Sequence, residues 1–300
     1  MLWYGNIPPA NLPEPDEFAD SRLRGLYRDI RTRTLVMGIL NTTPDSFYDG
    51  GRAISLDLAH SRAMKMVQEG ADIIDVGGES TRPGAESVSV ELELERTIPT
   101  IRKIRDSCDA VISIDTTKPE VAEEAVRAGA CLVNDISGLT FSPRLAGVAA
   151  EAGIPLILMH IRGTPRTMQE NPRYDDLVED ILEFFDSQVA VAEPYGLQKN
   201  HIILDPGFGF GKTVQHNLEM LRRLDEFRRP GLPLLIGTSR KSTLGAVLGG
   251  APARERLMPT AASVALAAAA GANIVRVHDV LEMKRVVTTV DAIVGRTVVL

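Results

Sequence analysis

Short apolar runs recur along this chain, each introduced by a glycine and closed by a polar residue. GADIIDVGG, GACLVNDIS, GIPLILMH, GLPLLIGTS and GANIVRVHD begin at Gly70, Gly129, Gly153, Gly231 and Gly271, and a further run, LVMGIL, begins at Leu35. Runs this short and this free of charge read as strands covered on both faces, as in a parallel sheet. Each opening glycine suits a helix terminus in the left-handed conformation, after which the chain enters a strand. Eight strands are predicted: Leu35 to Leu40, Ile73 to Val76, Val111 to Asp115, Leu132 to Asn134, Pro155 to Met159, Ile202 to Asp205, Leu234 to Gly237 and Ile274 to Val277. Amphipathic stretches between them predict helices over Leu56 to Glu69, Glu91 to Ser107, Pro119 to Ala128, Tyr174 to Pro194, Asn217 to Phe227, Arg254 to Ala270 and Val280 to Val294.

Strands alternating with helices imply a parallel α/β sheet. Eight such units point to a single closed (β/α)8 TIM barrel over residues 34–300. An open doubly wound sheet is the alternative, but neither GxGxxG nor a P-loop opens the first unit. Residues 1–33 are proline-rich and read as a short N-terminal extension, in which Leu23, Leu26, Tyr27 and Ile30 fall on one face of a short helix.

A barrel gathers its functional groups at the carboxyl ends of its strands. The polar residues fall there. The first strand ends at Asn41 and runs into NTTPDSFYDGG; GGESTRPGA follows the second; Asp115 closes the third. Asn134 and Asp135 end the fourth, Met159 and His160 the fifth, and Asp205 the sixth, in LDPGFGFGK. TSRKS follows the seventh, and Arg276 and His278 end the eighth.

Composition narrows the classes. With 44% hydrophobic and 24% charged residues in 300, the chain can bury a large core. A net charge of -7 without a basic tract argues against nucleic-acid binding. Two cysteines in no CxxC pair fit a reducing compartment, and the amino terminus lacks a secretory pattern, so a cytoplasmic protein is expected. The apolar stretch Ala261 to Val277 is Ala-rich and broken by Gly271, Asn273 and Arg276, which falls short of a membrane span. The absence of GxSxG and HExxH speaks against a serine hydrolase or a zinc peptidase.

Two subsites emerge from the strand-end inventory. Thr81, Arg82, Arg276 and His278 are donors suited to phosphate oxygens. Asp115, Asn134, Asp205 and Lys241 offer acceptors and donors at fixed positions, which suits a flat heterocycle with several ring N–H and carbonyl groups. Asn41, a neutral oxygen ligand beside anion-binding loops, fits Mg2+ held mainly by substrate phosphate and water. Other polar residues read as structural: Asp75 as a buried partner, His160 as a hydrogen-bonded core histidine, and Asp135 as a cap of the following helix.

LVMGILNTTPDSFYDGG, IIDVGGESTRPGA, ISIDTTKPEV, LVNDISG, LILMH, LDPGFGFGKTVQHN, LLIGTSRKS and IVRVHD, in this order, resemble the successive motifs of the dihydropteroate synthases. The resemblance implies a (β/α)8 homodimer that joins (7,8-dihydropterin-6-yl)methyl diphosphate to 4-aminobenzoate, releasing pyrophosphate. It further implies that Asp115, Asn134, Met159, Asp205 and Lys241 hold the pterin, and that Thr81, Arg276 and His278 hold the diphosphate. Arg82, Pro83, Phe210, Lys241 and Ser242 would border the aminobenzoate, Asn41 would ligate Mg2+, and Asp49 would help close the first loop. Asp115, Lys241, Arg276 and His278 carry the catalytic expectation. Thr42 and Tyr48 depart from the family pattern, standing where valine and serine are usual. With separate subsites, Asp205→Ala should lose pterin binding, whereas Arg276→Ala should chiefly weaken diphosphate binding. A pterin-dependent methyltransferase and a non-catalytic pterin-binding paralogue are the competing readings; neither needs the intact phosphate set.

Overall fold

Eight parallel strands wrap into a barrel in chain order: β1 (Leu35–Asn41), β2 (Ile73–Gly77), β3 (Val111–Asp115), β4 (Leu132–Asp135), β5 (Leu156–Met159), β6 (Ile202–Asp205), β7 (Leu235–Ile236) and β8 (Ile274–Val277). β8 pairs with both β1 and β7. Between β6 and β7 the seam is closed by a parallel bridge of Leu204 with Leu234, where the Leu204 N–H donates to the Pro233 carbonyl at 2.8 Å. The computed structural model describes residues 9–43, 52–81 and 84–296.

The helices are α1 (Ser21–Asp29), α2 (Arg52–Gln68), α3 (Val90–Arg105), α4 (Pro119–Ala128), α5 (Arg144–Ala152), α6 (Leu177–Ala192), α7 (Val214–Arg222), α8 (Ser242–Val247), α9 (Leu257–Ala269) and α10 (Val280–Ile293). Their ends follow from local chemistry. Pro119 opens α4, where its missing N–H costs nothing, and Gly129 ends it at φ 113°. Asp176 caps α6 by accepting from the Val178 and Glu179 N–H groups. Gly70, Gly153, Gly231 and Gly271 also adopt left-handed conformations before their strands, which explains the glycine that opens each apolar run.

Strand positions agree with the sequence expectation to within two residues at either end. Two helices, α5 and α8, were not expected, because RLAGVAAEA and STLGAV are short and rich in small residues, so their apolar positions stand out weakly. The expected helix ending at Phe227 stops at Arg222 and is followed by a separate 3-10 turn, Leu224–Arg228.

Residues ahead of β1 join the barrel core. Phe18, Leu23, Leu26, Tyr27 and Ile30 are all buried, and the Phe18 ring stacks on His201, just before β6, at 4.9 Å. The segment therefore covers the amino-terminal end of the barrel and leaves the carboxyl end open.

Register sets the mouth. Paired residues of a parallel sheet face the same side, and Asn41 pairs with Gly77, Gly77 with Asp115, and Asp115 with Asn134. One ring of positions thus carries three polar side chains and a glycine. Met159 pairs with Asp205 further round. On β8, Arg276 pairs with Met37, two levels deeper on the same face, and its long side chain reaches up.

Candidate active site

Arg276 lies at the centre of the mouth. Its Nε donates to Asp75 Oδ2 at 2.6 Å and its Nη2 to Asp115 Oδ2 at 2.7 Å, while Asn134 Nδ2 donates to the same Asp75 oxygen at 3.1 Å. Burial works against the charge on Arg276, but Asp75 and Asp115 outweigh it and keep the guanidinium protonated. Burial raises the Asp115 carboxyl above its ordinary range; Arg276 opposes this, and Asp75 adds to it. The array binds one guanidinium between two carboxylates and leaves Nη1 without a partner among the described residues.

Asp205 stands at the end of β6, almost fully buried, with its Oδ1 accepting the Gly207 N–H at 2.8 Å. Burial pushes its pKa up to about 6, against the pull of that N–H and of Lys241. The loop that follows turns on Gly207, Gly209 and Gly211, all with positive φ. The buried Lys212 amine anchors it, bonding to the Phe210 carbonyl at 2.9 Å and to His160 Nδ1 at 2.8 Å. Burial, and then Lys212, lower the His160 pKa, so its ring is neutral and Nδ1 accepts.

Beside these polar groups stands an apolar wall. Ile136, Met159, Ile161, Met168 and Phe210 form a buried cluster of their own, apart from the barrel core. The Lys241 ammonium lies 4.0 Å over the Phe210 ring. Burial, and then Arg276, lower the Lys241 pKa to about 8. A flat ring between such a wall and the carboxylates would meet apolar surface on its face and hydrogen-bonding groups at its edge.

At the rim the β7 and β8 loops are tied together. The His278 N–H donates to Ser239 Oγ at 3.1 Å, and Ser239 Oγ lies 3.0 Å from His278 Nδ1. The hydroxyl can accept from the backbone and donate to Nδ1 at once, an arrangement in which Nε2 is the N–H donor of the ring. Loss of solvent around the ring, though His278 keeps an exposed edge, and then the Arg276 and Arg240 cations lower the His278 pKa. Arg240, at φ 55°, forms a two-pronged ion pair with Asp279 and sends the chain on to Lys241. Ser242 is exposed at the start of α8.

Other expected residues fall on the same rim. Asn41 ends β1 and Thr81 lies in the β2 loop, both half-buried. Thr42 ties the first loop to β2, with its N–H at 2.8 Å and its hydroxyl at 3.1 Å from the Gly77 carbonyl. Asp49, Arg82, Pro83 and Tyr48 lie outside the described residues.

Some of the site was not expected. Asp75 is indeed a buried partner, but what it partners is Arg276 and Asn134. Asp135 caps a turn rather than a helix: its oxygens accept from the Ser137 N–H, the Ser137 hydroxyl and the Leu139 N–H, and α5 begins only at Arg144. Ile136, Ile161 and Met168 of the apolar wall lie in loops, where no periodicity marks them. Their apolar character within polar strand-end segments was the available signal.

Comparison with known proteins accords with this geometry. Residues 37–278 match the family described as pterin binding enzyme. The dihydropteroate synthase of Synechocystis is 54% identical over 261 residues, covering 87% of this chain and 90% of that protein. The dihydropteroate synthase of Yersinia pestis, solved with a sulfonamide drug complex, superposes with a TM-score of 0.83 at 45% identity, covering 88% of this chain and 95% of the other. That of Xanthomonas albilineans, solved in complex with 7,8-dihydropteroate, gives a TM-score of 0.79 at 37% identity, covering 87% and 94%. On the match across nearly the whole barrel, this chain belongs to the pterin-binding enzymes and, among them, to the dihydropteroate synthase family.

Proposed function

We propose that the chain condenses (7,8-dihydropterin-6-yl)methyl diphosphate with 4-aminobenzoate to give 7,8-dihydropteroate and pyrophosphate. The observation that carries this is the pairing, at one barrel mouth, of the Asp75–Arg276–Asp115 array with Asn134, Asp205 and the apolar wall. The first suits a phosphate leaving group and the second a pterin ring, so the bond between them falls where the two meet. The test is pyrophosphate release with and without 4-aminobenzoate. Amine-dependent release with dihydropteroate formed in equal amount is expected; release that ignores the amine, or none, would sink the reading.

In the reaction the bond from the pterin methylene to the diphosphate oxygen breaks, and a bond from the methylene to the arylamine nitrogen forms. The electron-rich pterin lets departure run ahead of attack. Arg276, already fixed by two carboxylates, meets the growing negative charge without reorganising, and His278 and Thr81 add donors. Asp115 faces the positive charge that grows on the pterin. Asp205 accepts from the ring N–H and the exocyclic amine, while Met159 and Phe210 cover the ring's face. The arylamine brings a free lone pair at neutral pH, so no strong general base is required, and its proton leaves to solvent after attack. Alignment of two bound substrates supplies much of the remaining rate.

Mg2+ completes the proposal. Asn41 is a half-buried neutral oxygen donor at the mouth, and no group of three or more His, Cys, Asp or Glu suited to a metal occurs among the described residues. That donor set fits an ion held mostly by diphosphate and water. Bound there, it would neutralise charge on the leaving group. Chelation should abolish pyrophosphate release, and added Mg2+ should restore it; a rate indifferent to chelator would remove the metal from the account.

Lys241 gives a pH signature. With its pKa lowered to about 8, the amine is charged at neutral pH and loses its proton as pH rises past that point. Pterin affinity should therefore fall between about pH 7.5 and 9, and the fall should vanish in Lys241→Met. Calorimetric titration across that range checks it, and parallel slopes in the two proteins would exclude Lys241 as the source.

The assembly is proposed to be a homodimer. Val247, Leu248, Met258 and Leu266 are exposed on or beside α8 and α9, and burial of this apolar surface would favour association. Sedimentation should give twice the monomer mass, and Leu248→Asp with Met258→Asp should return it to the monomer; wild-type monomer at working concentration would overturn this. A cytoplasmic location is likewise proposed from the two free thiols, to be checked by cell fractionation. Among the described residues no helix is long and apolar enough to cross a membrane.

A further inference from the structure

Asp75 is wholly buried in the middle of β2, facing the barrel interior. One of its oxygens, Oδ2, receives both Arg276 Nε and Asn134 Nδ2. Among the described residues the other, Oδ1, has no hydrogen-bond partner, and neither does the hydroxyl of Ser113, its in-register neighbour on β3. An unpaired buried acceptor is costly. Here the cost is borne at the floor of the candidate site. The two groups that Asp75 does hold belong one to each subsite.

An ionised carboxylate only accepts, so the side of the Asn134 amide facing Asp75 must be its NH2, which leaves the amide oxygen to face elsewhere. The guanidinium is planar, so fixing Nε on Asp75 and Nη2 on Asp115 fixes the direction of the remaining Nη1 edge. We propose that Asp75 is a positioning residue that orients Arg276 for the diphosphate and Asn134 for the pterin together, through hydrogen bonds to a single oxygen. The inference rests on the two-subsite reading above and assigns Asp75 no contact with substrate.

Two substitutions separate this role from a structural one. In Asp75→Asn the amide oxygen can take the place of Oδ2 and keep both hydrogen bonds. In Asp75→Ala both bonds are lost. The probes are 6-hydroxymethylpterin and inorganic pyrophosphate with Mg2+, each titrated by calorimetry against wild type and both variants, with thermal melting alongside. The expected result is that Asp75→Ala weakens both probes about tenfold or more, the size of a lost hydrogen bond to a charged group, whereas Asp75→Asn stays within about threefold, as for a bond exchanged for a near equivalent.

A purely structural role predicts instead that Asp75→Ala lowers the melting temperature while the folded protein keeps wild-type affinities, and that outcome would overturn the proposal. So would a loss confined to one probe, or an Asp75→Asn defect as large as that of alanine, which would make the charge and not the orientation decisive. An Asp75→Ala that does not fold is replaced by Asp75→Ser, whose shorter side chain draws its oxygen back from both partners: weakening of both probes supports orientation, and wild-type affinities refute it. Wild-type protein that binds neither probe would fail the two-subsite reading and the inference with it. Wild-type binding of both, with affinities unmoved in either variant, would fail Asp75 alone.

Discussion

Replacing Arg276 by alanine should damage both subsites, the pterin side included. The guanidinium is the counter-charge between Asp75 and Asp115, at 2.6 and 2.7 Å, and its removal leaves two buried carboxylates facing one another. Breaking a buried pair from one side costs about 3–5 kcal/mol. Part of that can be recovered by protonating a carboxylate, and Asp115, whose pKa burial already raises, is the group to take the proton. The folded variant then binds a proton that the unfolded chain does not. Stability therefore falls as pH rises through the neutral range. Arg276→Ala should melt lower than wild type at pH 8 and regain stability toward pH 6, with diphosphate affinity down more than about a hundredfold, a loss of the size expected from one fully desolvated charge pair. Pterin affinity should fall as well, since Asp115 becomes neutral and Asp75, the partner of Asn134, is no longer held by Arg276. Melting curves at the two pH values with separate titrations of pterin and pyrophosphate decide it. Wild-type pterin affinity at pH 8 would restore the simpler expectation of independent subsites.

That expectation came from the sequence, in which nothing links the two subsites. The polar residues were assigned to the mouth because each closes an apolar run, and the register brings Asn41, Asp115 and Asn134 to one ring. Periodicity carries that much. It does not carry the contact between residues 201 positions apart that joins Arg276 to Asp75. Asp75 sits inside an apolar run, two residues short of the strand end, so nothing local sets it apart from a buried structural carboxylate. Loop residues were harder still. Ser239, which fixes the His278 ring, and Lys212, which holds the Phe210 carbonyl, act through side-chain geometry in segments without period.

Short helices failed for a related reason. α5 has nine residues and α8 six; α5 does bury a stripe, Leu145, Ala146, Val148 and Ala149, but it runs for barely two turns and half of it is alanine, and helices this short form by packing against the barrel. By contrast the glycines that precede strands were legible, because the left-handed conformation at a helix end is a local demand. Glycines in the Asp205 loop answer a different demand, one that only the folded structure reveals.

Gly207 tests that difference. Its φ is 71°, and a Cβ there would lie 1.9 Å from the His160 carbonyl oxygen and 3.1 Å from the carbonyl carbon. Neither atom can yield: the His160 N–H is bonded to the Asp205 carbonyl at 2.8 Å, in line with the β5–β6 ladder. Gly207→Ala must therefore push the end of β6 from the end of β5, carrying away Asp205, Met159 and the N–H that Gly207 donates to Asp205. Left-handed strain alone costs about 1–2 kcal/mol. Displaced backbone should bring the total to at least about 4 kcal/mol, in the range reserved for severe core defects. Gly153 is the control. It has φ 63° but open space around its would-be Cβ, so Gly153→Ala should show the strain term alone and keep full pterin affinity. Gly207→Ala should lose pterin affinity by more than about a hundredfold, the equivalent of roughly 3 kcal/mol. Melting temperatures and pterin titrations on the two variants side by side measure the difference. Equal behaviour would mean that the β5–β6 rim accommodates a methyl group, and that close backbone approach is not why the loop turns on glycine.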